Sequence, residues 1–308
     1  MNELTIVTYH YVRPIKNSKF PRIKGLEINN FVRQLDYLQE NFSIVSTEEV
    51  IKAVKLNSKL PDNACWLTFD DGYMDHYVYV MPELIKRKIS GAFFPTKVGA
   101  QNFKLLNVNS IQHVLACSDN IDKLVSNLNM LCLSYGISYE KIEEFFLKYG
   151  SESRFDNPST VYIKKMLQYV LPENLRNKIT SSLFNEYVGI SESKFAKELY
   201  MNNKEIAELI KNGMFVGSHG SMHYHLDQIS DNDQKKDLMQ SLEFLEEVGA
   251  QTSDWIICYP HGAYNDKTVS IVKELGAVIG LTTDFRTAFI KKDNPLTLPR
   301  LDTNNLPQ

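Results

Sequence analysis

The chain has 308 residues, of which 43% are hydrophobic and 23% are charged, and its formal net charge is −3 at pH 7. This composition is typical of a globular protein with a sizeable core, and it gives no electrostatic case for binding nucleic acid or an anionic membrane surface. No apolar stretch approaches the roughly 20 residues that a transmembrane helix requires. The length is compatible with one large α/β domain or two medium domains.

The first residues and the cysteines favour a cytoplasmic protein. The stretch MNELTIVTYHYV leads into a predicted strand without a basic leader, a long apolar segment or a small-residue cleavage site. The cysteines are widely spaced and form no CxxC pair, which favours reduced core thiols over a disulfide framework. These cysteines are Cys65, Cys117, Cys132 and Cys258.

Strands and helices alternate through the first hundred residues. A strand is predicted over Leu4–His10, followed by a helix over residues 28–42 with Asn29 or Asn30 as its N-cap. A second helix is predicted to begin at Ser46, which has the spacing of a capping box with Glu49. The run ACWLTFDDG predicts a buried parallel strand, and a short helix at MPELIKRKI and a strand at SGAFFPT follow it.

Residues from about 102 to 204 interrupt this alternation. They show helix-spaced apolar residues and no clear strand pattern, which predicts a helical insertion packed over or beside the main sheet. Strands are predicted again at MFVGSH, DWIICYP and AVIGLTT, with helices between them and PLTLPRLDT as a final strand. We therefore predict a single α/β domain over residues 1–308 that contains this insertion.

Polar side chains gather at the predicted ends of four strands. In parallel α/β folds, functional residues collect at the carboxyl ends of the strands. Here these ends hold five of the seven histidines together with two adjacent acids. The residues are His10, Asp70, Asp71, His219, His223, His225 and His261.

The spacing of two histidines predicts a metal site. His219 and His223 are four residues apart, so on a helical turn their imidazoles would project to the same side. Two histidines and one carboxylate hold a catalytic divalent metal and leave positions for water and substrate. Of the adjacent acids, one would then bind the metal and the other would accept a proton from water. The alternative interpretation is a surface histidine pair and an ordinary Asp-Gly turn.

TFDDG (residues 68–72) together with SHGSMH (residues 218–223) resembles the polysaccharide deacetylases, the NodB-homology proteins of carbohydrate esterase family 4. The opening YH and the segments GAFFPT, IKNGMFVGSHG, YPHGAYN and LPR follow in the order expected of that family. The resemblance covers about residues 1–100 and 205–308, and the insertion makes the interval between the two main motifs unusually long. It implies a distorted (β/α) barrel of about seven parallel strands.

The resemblance also implies a mechanism. Asp70 would be the general base, and Asp71, His219 and His223 would bind a divalent metal, most simply Zn²⁺, with Co²⁺, Ni²⁺ or Fe²⁺ as alternatives. A metal-bound water would attack the N-acetyl (N-acyl) carbonyl of an amino sugar. The metal and the backbone N–H at His261 would stabilise the oxyanion.

Two features of that family are missing from the sequence. Its third motif commonly begins with an arginine that orients the base, but CYPHG has Cys258 there, so Arg300 is the candidate for this charge or for a substrate contact. No histidine follows His261, so the late Leu-x-His motif that supplies the general acid is absent. His10 is our first candidate for the acid, His261 is the second, and His225 is the third or a substrate-binding residue.

Three tyrosines close to these motifs are candidates to line a sugar pocket. They are Tyr73, Tyr259 and Tyr264. Two other histidines, His76 and His113, are expected to be surface or packing residues.

The sequence thus predicts a metal-dependent carbohydrate N-deacetylase without a nucleic-acid partner. In the cytoplasm such an enzyme would act on a nucleotide-sugar, a lipid-linked sugar or an oligosaccharide precursor, and the insertion would favour a small or terminal sugar. Two alternatives stay open. One is an inactive carbohydrate-binding protein of the same fold, and the other is a hydrolase of another small amide, such as an N-formyl group.

Overall fold

The computed structural model describes residues 3–153 and 156–307. The chain divides into two compact units. The described residues of the first unit fall within Met1–Arg13, Gly25–Phe103 and Lys197–Gln308, and those of the second within Pro14–Lys24 and Lys104–Ala196.

The first unit contains nine strands in its described part. In chain order they are β1 (Glu3–Tyr9), β2 (Ser43–Ile44), β3 (Ala64–Asp71), β4 (Ala92–Pro95), β5 (Phe215–Val216), β6 (Ile256–Cys258), β7 (Ile279–Leu281), β8 (Ala288–Phe289) and β9 (Leu301–Asp302).

Seven of these strands close into a parallel barrel. β5, β4, β3, β1 and β9 pair side by side in parallel, and β6 pairs with β7 in the same sense. Parallel bridges from Ser218 to Ile257 and from Leu281 to Leu298 join the β6–β7 pair to the strands on either side. The predicted distorted (β/α) barrel of about seven parallel strands is therefore confirmed. β8 was not predicted, and it pairs antiparallel with the start of β1.

The helices, in chain order, are α1 (Ile28–Asn41), α2 (Thr47–Leu56), α3 (Met81–Arg87), α4 (Lys97–Ala100), α5 (Asn107–Cys117), α6 (Ile121–Ser134), α7 (Tyr139–Tyr149), α8 (Pro158–Lys165), α9 (Glu173–Val188), α10 (Glu192–Leu199), α11 (Asn203–Lys211), α12 (Asp231–Glu247) and α13 (Asp266–Glu274). Among the described residues, none of these helices is both long and apolar enough to cross a bilayer.

The beginnings of the first two helices test the capping predictions. α2 has the predicted capping box, in which Ser46 and Glu49 each accept a hydrogen bond from the other's backbone N–H. The N-cap prediction for α1 is wrong, since Glu27 holds that position in an extended conformation and makes no side-chain cap. The reason is the preceding residue, Leu26, whose N–H donates to the carbonyl of Tyr11 and fixes the chain in a bridge just before the helix.

Both faces of the central strands are buried. Along β1, Leu4 and Ile6 pack in one core with Trp66 and Phe94, whereas Val7 and Tyr9 pack in a second core. The second core also contains Phe31, Leu35 and Leu38, which form the buried apolar face of α1, together with Leu67 and Phe69. Because successive side chains of a strand point to opposite faces, this double burial fixes the register of β1 against β3.

In the second unit, every element from α5 to α9 is helical in the described residues, as the insertion pattern predicted. Residues Pro14–Lys24 also belong to this unit, which the sequence analysis did not predict. Arg22 donates to the carbonyl of Ala116 at 2.8 Å, and Phe20 packs edge-on against His113 and Phe195. His113 is therefore a packing residue, as expected.

Candidate metal and catalytic site

β3 ends in two carboxylates that are almost fully buried, Asp70 at 2% and Asp71 at 4% exposure. Asp71 has a left-handed backbone (φ 70°), and Gly72 continues the turn with φ 71°. A Cβ at position 72 would lie 2.7 Å from Cβ of Pro95 at the end of β4, so this tight turn requires glycine. The turn separates the two carboxylates and gives each a different set of neighbours.

Asp70 is held by Arg300. Nη1 and Nη2 of Arg300 donate to Oδ1 and Oδ2 of Asp70 at 2.9 and 2.7 Å, and Thr8 Oγ1 donates to Oδ2 at 3.3 Å. Burial alone would raise the pKa of Asp70, but the charge and hydrogen bonds of Arg300 outweigh it and hold the pKa below its usual value. Asp70 is therefore ionised and fixed in orientation at neutral pH.

Asp71 faces the two histidines. Its Oδ1 lies 3.2 Å from Nε2 of His219 and 3.3 Å from Nε2 of His223, while its Oδ2 accepts a hydrogen bond from the hydroxyl of Tyr73. Burial works against ionisation of Asp71, yet the hydrogen bonds to both histidines hold its pKa well below the usual value. The two histidines thus converge on a single oxygen of Asp71.

The histidines converge from a loop, so the prediction of a helical turn is wrong. Residues 218–225 contain no helix, and Gly220 and His223 both adopt left-handed backbone conformations. The loop is held by Asp237 of α12, which accepts hydrogen bonds from the N–H groups of Ser221 and Met222 at 3.0 and 2.8 Å. The imidazole rings of His219 and His223 nevertheless lie only 4.8 Å apart between centroids.

The donor set of Asp71, His219 and His223 fits a divalent metal. Nδ1 of His219 lies 2.7 Å from the carbonyl of Cys258, which can only accept, so Nδ1 carries a hydrogen and Nε2 is the nitrogen available to bind a metal in place of its hydrogen bond to Asp71. Ligands about 2.0–2.1 Å from a tetrahedral metal stand about 3.3 Å apart, close to the two observed distances. A metal ion bound by these groups would replace the hydrogen bonds between them.

A second group of possible ligands, formed by Asp70, His219 and Cys258, also lies within 4.8 Å. It is less suited to a metal. Both oxygens of Asp70 already accept from Arg300, and burial raises the pKa of the Cys258 thiol, which favours its protonated form. The set that contains Asp71 is therefore the better metal site.

His10 lies beside Asp70. Its Nε2 lies 3.9 Å from Oδ2 of Asp70, and its side chain is 47% exposed, so it combines closeness to Asp70 with access from solvent. His76 lies beneath it, fully buried, and donates from Nε2 to the His10 carbonyl at 2.9 Å. Burial lowers the pKa of His76 to about 4, so His76 is a neutral packing residue that supports the backbone of His10.

His261 and His225 form a stacked pair beside His223. Their ring centroids are 3.8 Å apart at an angle of 6°, and the ring of His261 meets that of His223 edge-on at 4.4 Å. Burial, with the neighbouring histidines, lowers the pKa of His261 far below its usual value. His261 is thus a poor proton donor, and the geometry favours His10 for that role.

Three of the residues that were expected to bind substrate are buried and contact other protein groups. Tyr73 and Tyr259 are buried, with their hydroxyls donating to Asp71 and to the carbonyl of Leu296. Arg300 is also buried, and it donates to Thr282 and Asp70 instead of facing solvent. These positions favour structural or orienting roles over direct contact with a sugar. Tyr264 is partly exposed and stacks on Tyr259 at 4.9 Å.

Two supporting residues were not anticipated from the sequence. Thr8 lies on β1 two positions before His10, which follows the strand, so the period of the strand could have indicated that Thr8 faces the same site. Asp237 lies within an ordinary amphipathic helix pattern, and no sequence signal separates it from the exposed acids around it.

Residues 176–280 match the sequence model of the family described as "Polysaccharide deacetylase". The deacetylase PplD from Streptococcus pyogenes, solved with acetate, is 19% identical with a TM-score of 0.58, covering 97% of this chain and 92% of PplD. IcaB from Ammonifex degensii is 18% identical with a TM-score of 0.58, covering 98% and 91%. A de-N-acetylase from Aggregatibacter actinomycetemcomitans is 16% identical with a TM-score of 0.57, covering 97% and 94%.

No sequence among the curated proteins matches this chain. At these identities the solved structures establish the fold alone, and the family model matches residues 176–280. The resemblance read from the motifs is therefore confirmed by the family match over residues 176–280.

Proposed function

We propose that the protein is a metal-dependent hydrolase that removes an N-acetyl (N-acyl) group from an amino sugar. The observation that carries the proposal is that the two buried acids have different partners. Asp70 is fixed by Arg300, whereas Asp71 shares one oxygen with His219 and His223. The family match and the deacetylases among the structural relatives support this reaction class.

Asp71, His219 and His223 would hold the metal, with Zn²⁺ as the first candidate. When bound there, a divalent metal would polarise the acyl carbonyl and lower the pKa of a water molecule. Metal dependence would account for two imidazole nitrogens that converge on one carboxylate oxygen at the spacing of ligands around a tetrahedral metal.

Asp70 would act as the general base. The guanidinium of Arg300 keeps it ionised and aims both of its oxygens. As Asp70 accepts the proton from water, the water oxygen bonds to the acyl carbon. The C–N bond then breaks, and the products are a carboxylic acid, which is acetate for an N-acetyl group, and a free amine.

His10 would protonate the leaving nitrogen. It is the candidate acid that lies near the base and is still reached by solvent. The sequence departs from its family at the late histidine motif, and His10 would supply the missing group from the opposite end of the chain. His225 and the exposed part of Tyr264 remain the candidates for contact with the sugar.

We also propose that the substrate is small and cytoplasmic, such as a nucleotide-sugar or a glycan precursor. This part of the proposal rests on sequence features alone.

The decisive experiment measures acetate release from a panel of N-acetylated sugars, using apoprotein and protein reloaded with Zn²⁺ or Co²⁺. We expect release only after loading.

The same panel separates the alternatives. Formate release from N-formyl sugars without acetate release would favour the other amide hydrolase. Sugar binding and metal binding without any release would favour a non-catalytic carbohydrate-binding protein. The absence of an arginine at the family's usual position does not favour this last alternative, because Arg300 lies beside Asp70 and donates to it.

A further inference from the structure

Tyr73 gives the two oxygens of Asp71 different surroundings. Its side chain is fully buried, and its hydroxyl donates to Oδ2 of Asp71, whereas Oδ1 of the same carboxylate faces His219 and His223. Only Oδ1 is thereby turned toward the proposed metal. Because Tyr73 is buried, a sugar cannot reach it, and the Tyr73 hydroxyl does not bind substrate.

Tyr73 is itself held from behind. The ring of Tyr11 stacks on it at 4.2 Å between centroids, and the two tyrosines share a side-chain hydrogen bond. The guanidinium of Arg13 lies 4.5 Å over the ring of Tyr11 and donates from Nε to Asp75 at 2.7 Å. Tyr73 therefore sits in a fixed array of rings and hydrogen bonds that ends on Asp71.

The backbone of Asp71 makes such support necessary. Its φ of 70° is a left-handed conformation, which is strained for a residue with a side chain and persists only where the surroundings hold it. The hydrogen bond from Tyr73 is the contact that fixes the side chain on the face away from the histidines.

We infer that Tyr73 is a positioning residue for the metal site, which holds Asp71 so that Oδ1 alone serves as ligand. The inference rests on the proposed metal site and adds a residue that acts on the metal through Asp71. Loss of the Tyr73 hydroxyl would leave Oδ2 buried without its donor and free to turn toward the metal.

The test is a metal titration of the full-length apoprotein carrying Tyr73→Phe. Supporting groups of this kind change metal affinity by about 10–100-fold, so we expect the dissociation constants for Zn²⁺ and Co²⁺ to rise by that factor. The visible absorption of bound Co²⁺ should also change, because a second carboxylate oxygen alters the coordination.

Tyr9→Phe is the matched control. Tyr9 is a buried tyrosine at the end of β1, and its hydroxyl has no hydrogen-bond partner in the described residues. Its removal should leave both the affinity and the Co²⁺ spectrum unchanged. Tyr11→Phe, which removes only the outer hydrogen bond of the array, should weaken metal binding less than Tyr73→Phe does.

Wild-type metal affinity in folded Tyr73→Phe protein would overturn the inference, even if its melting temperature fell, because a merely structural role predicts that result. Should Tyr73→Phe fail to fold, wild-type affinity in Tyr11→Phe would overturn it instead. The proposed function fails separately, when metal-loaded wild-type protein releases no acid from any acylated sugar.

Discussion

Replacement of Arg300 by methionine should destabilise the folded protein, because it removes the partner of a buried carboxylate. The Arg300–Asp70 pair is bidentate, and both side chains are 2% exposed. Removing one partner of a buried pair leaves an uncompensated charge, which costs about 3–5 kcal/mol. We expect Arg300→Met to lower the free energy of unfolding by about this amount at pH 7, as measured by urea denaturation.

A matched pair on the surface provides the control. Arg286 also makes two hydrogen bonds to a carboxylate, that of Asp293, but its side chain is 47% exposed. Because solvent screens such a pair, Arg286→Met should cost no more than about 1 kcal/mol. Equal losses for the two variants would refute the view that burial makes the Arg300 pair important.

The pH dependence gives a second check on the same variant. Arg300 holds the folded pKa of Asp70 below its unfolded value of about 4, so the pair stabilises the protein above pH 4, and this contribution is lost as the pH falls through the lower folded pKa. Without Arg300, burial raises the pKa of Asp70, which penalises folding above pH 4. The stability gap between wild type and Arg300→Met should therefore be widest near neutrality and narrow below pH 4. A gap that is constant with pH would contradict the assignment of the charge.

Three further predictions concern the surroundings of the site. Gly220→Ala should weaken metal binding, because the added Cβ would lie 2.9 Å from Oδ2 of Asp237. Gly213 has a similar φ of 78° and open space around it, so Gly213→Ala should cost only the backbone strain of about 1–2 kcal/mol. Equal metal affinity in the two variants would contradict this prediction. The pKa of His76 is lowered to about 4, so its contribution to stability should be lost as the pH falls from about 6.5 to 4, and a His76→Gln protein should lose this part of the urea-denaturation pH profile. His10→Gln should lower kcat for an N-acetyl sugar by about 10²–10⁴-fold, but much less for an anilide with a good leaving group; equal losses would argue against His10 as the acid.

The barrel was predictable because its signals are local. The run that ends in Asp70 and Asp71 has the apolar continuity of a strand buried on both faces, and the residues around Ser46 satisfy the capping rule by themselves. β8 and the residues Pro14–Lys24 escaped prediction for the opposite reason. Their places depend on partners that are distant in the sequence, such as Leu4 for Ala288 and Ala116 for Arg22.

The candidate site was also predictable only in part. Asp71, His219 and His223 could be grouped because strand ends gather at one edge of a parallel barrel, even though the expected helical turn is a loop. The role of Tyr73 could not be predicted, since a tyrosine next to an acidic pair is equally compatible with a substrate pocket. Its direction is set by the left-handed turn at Asp71 and by the ring of Tyr11, which only the three-dimensional structure displays.

The proposed function gives the two adjacent acids different tasks, and a paired measurement on their variants distinguishes these tasks. Metal content and acetate release are measured on Asp70→Asn and Asp71→Asn proteins after incubation with Zn²⁺. We expect Asp70→Asn to retain the metal but to lose acetate release by about 10²–10⁴-fold, whereas Asp71→Asn should lose the metal itself. Wild-type turnover by Asp70→Asn, or metal retained at wild-type affinity by Asp71→Asn, would contradict this expectation.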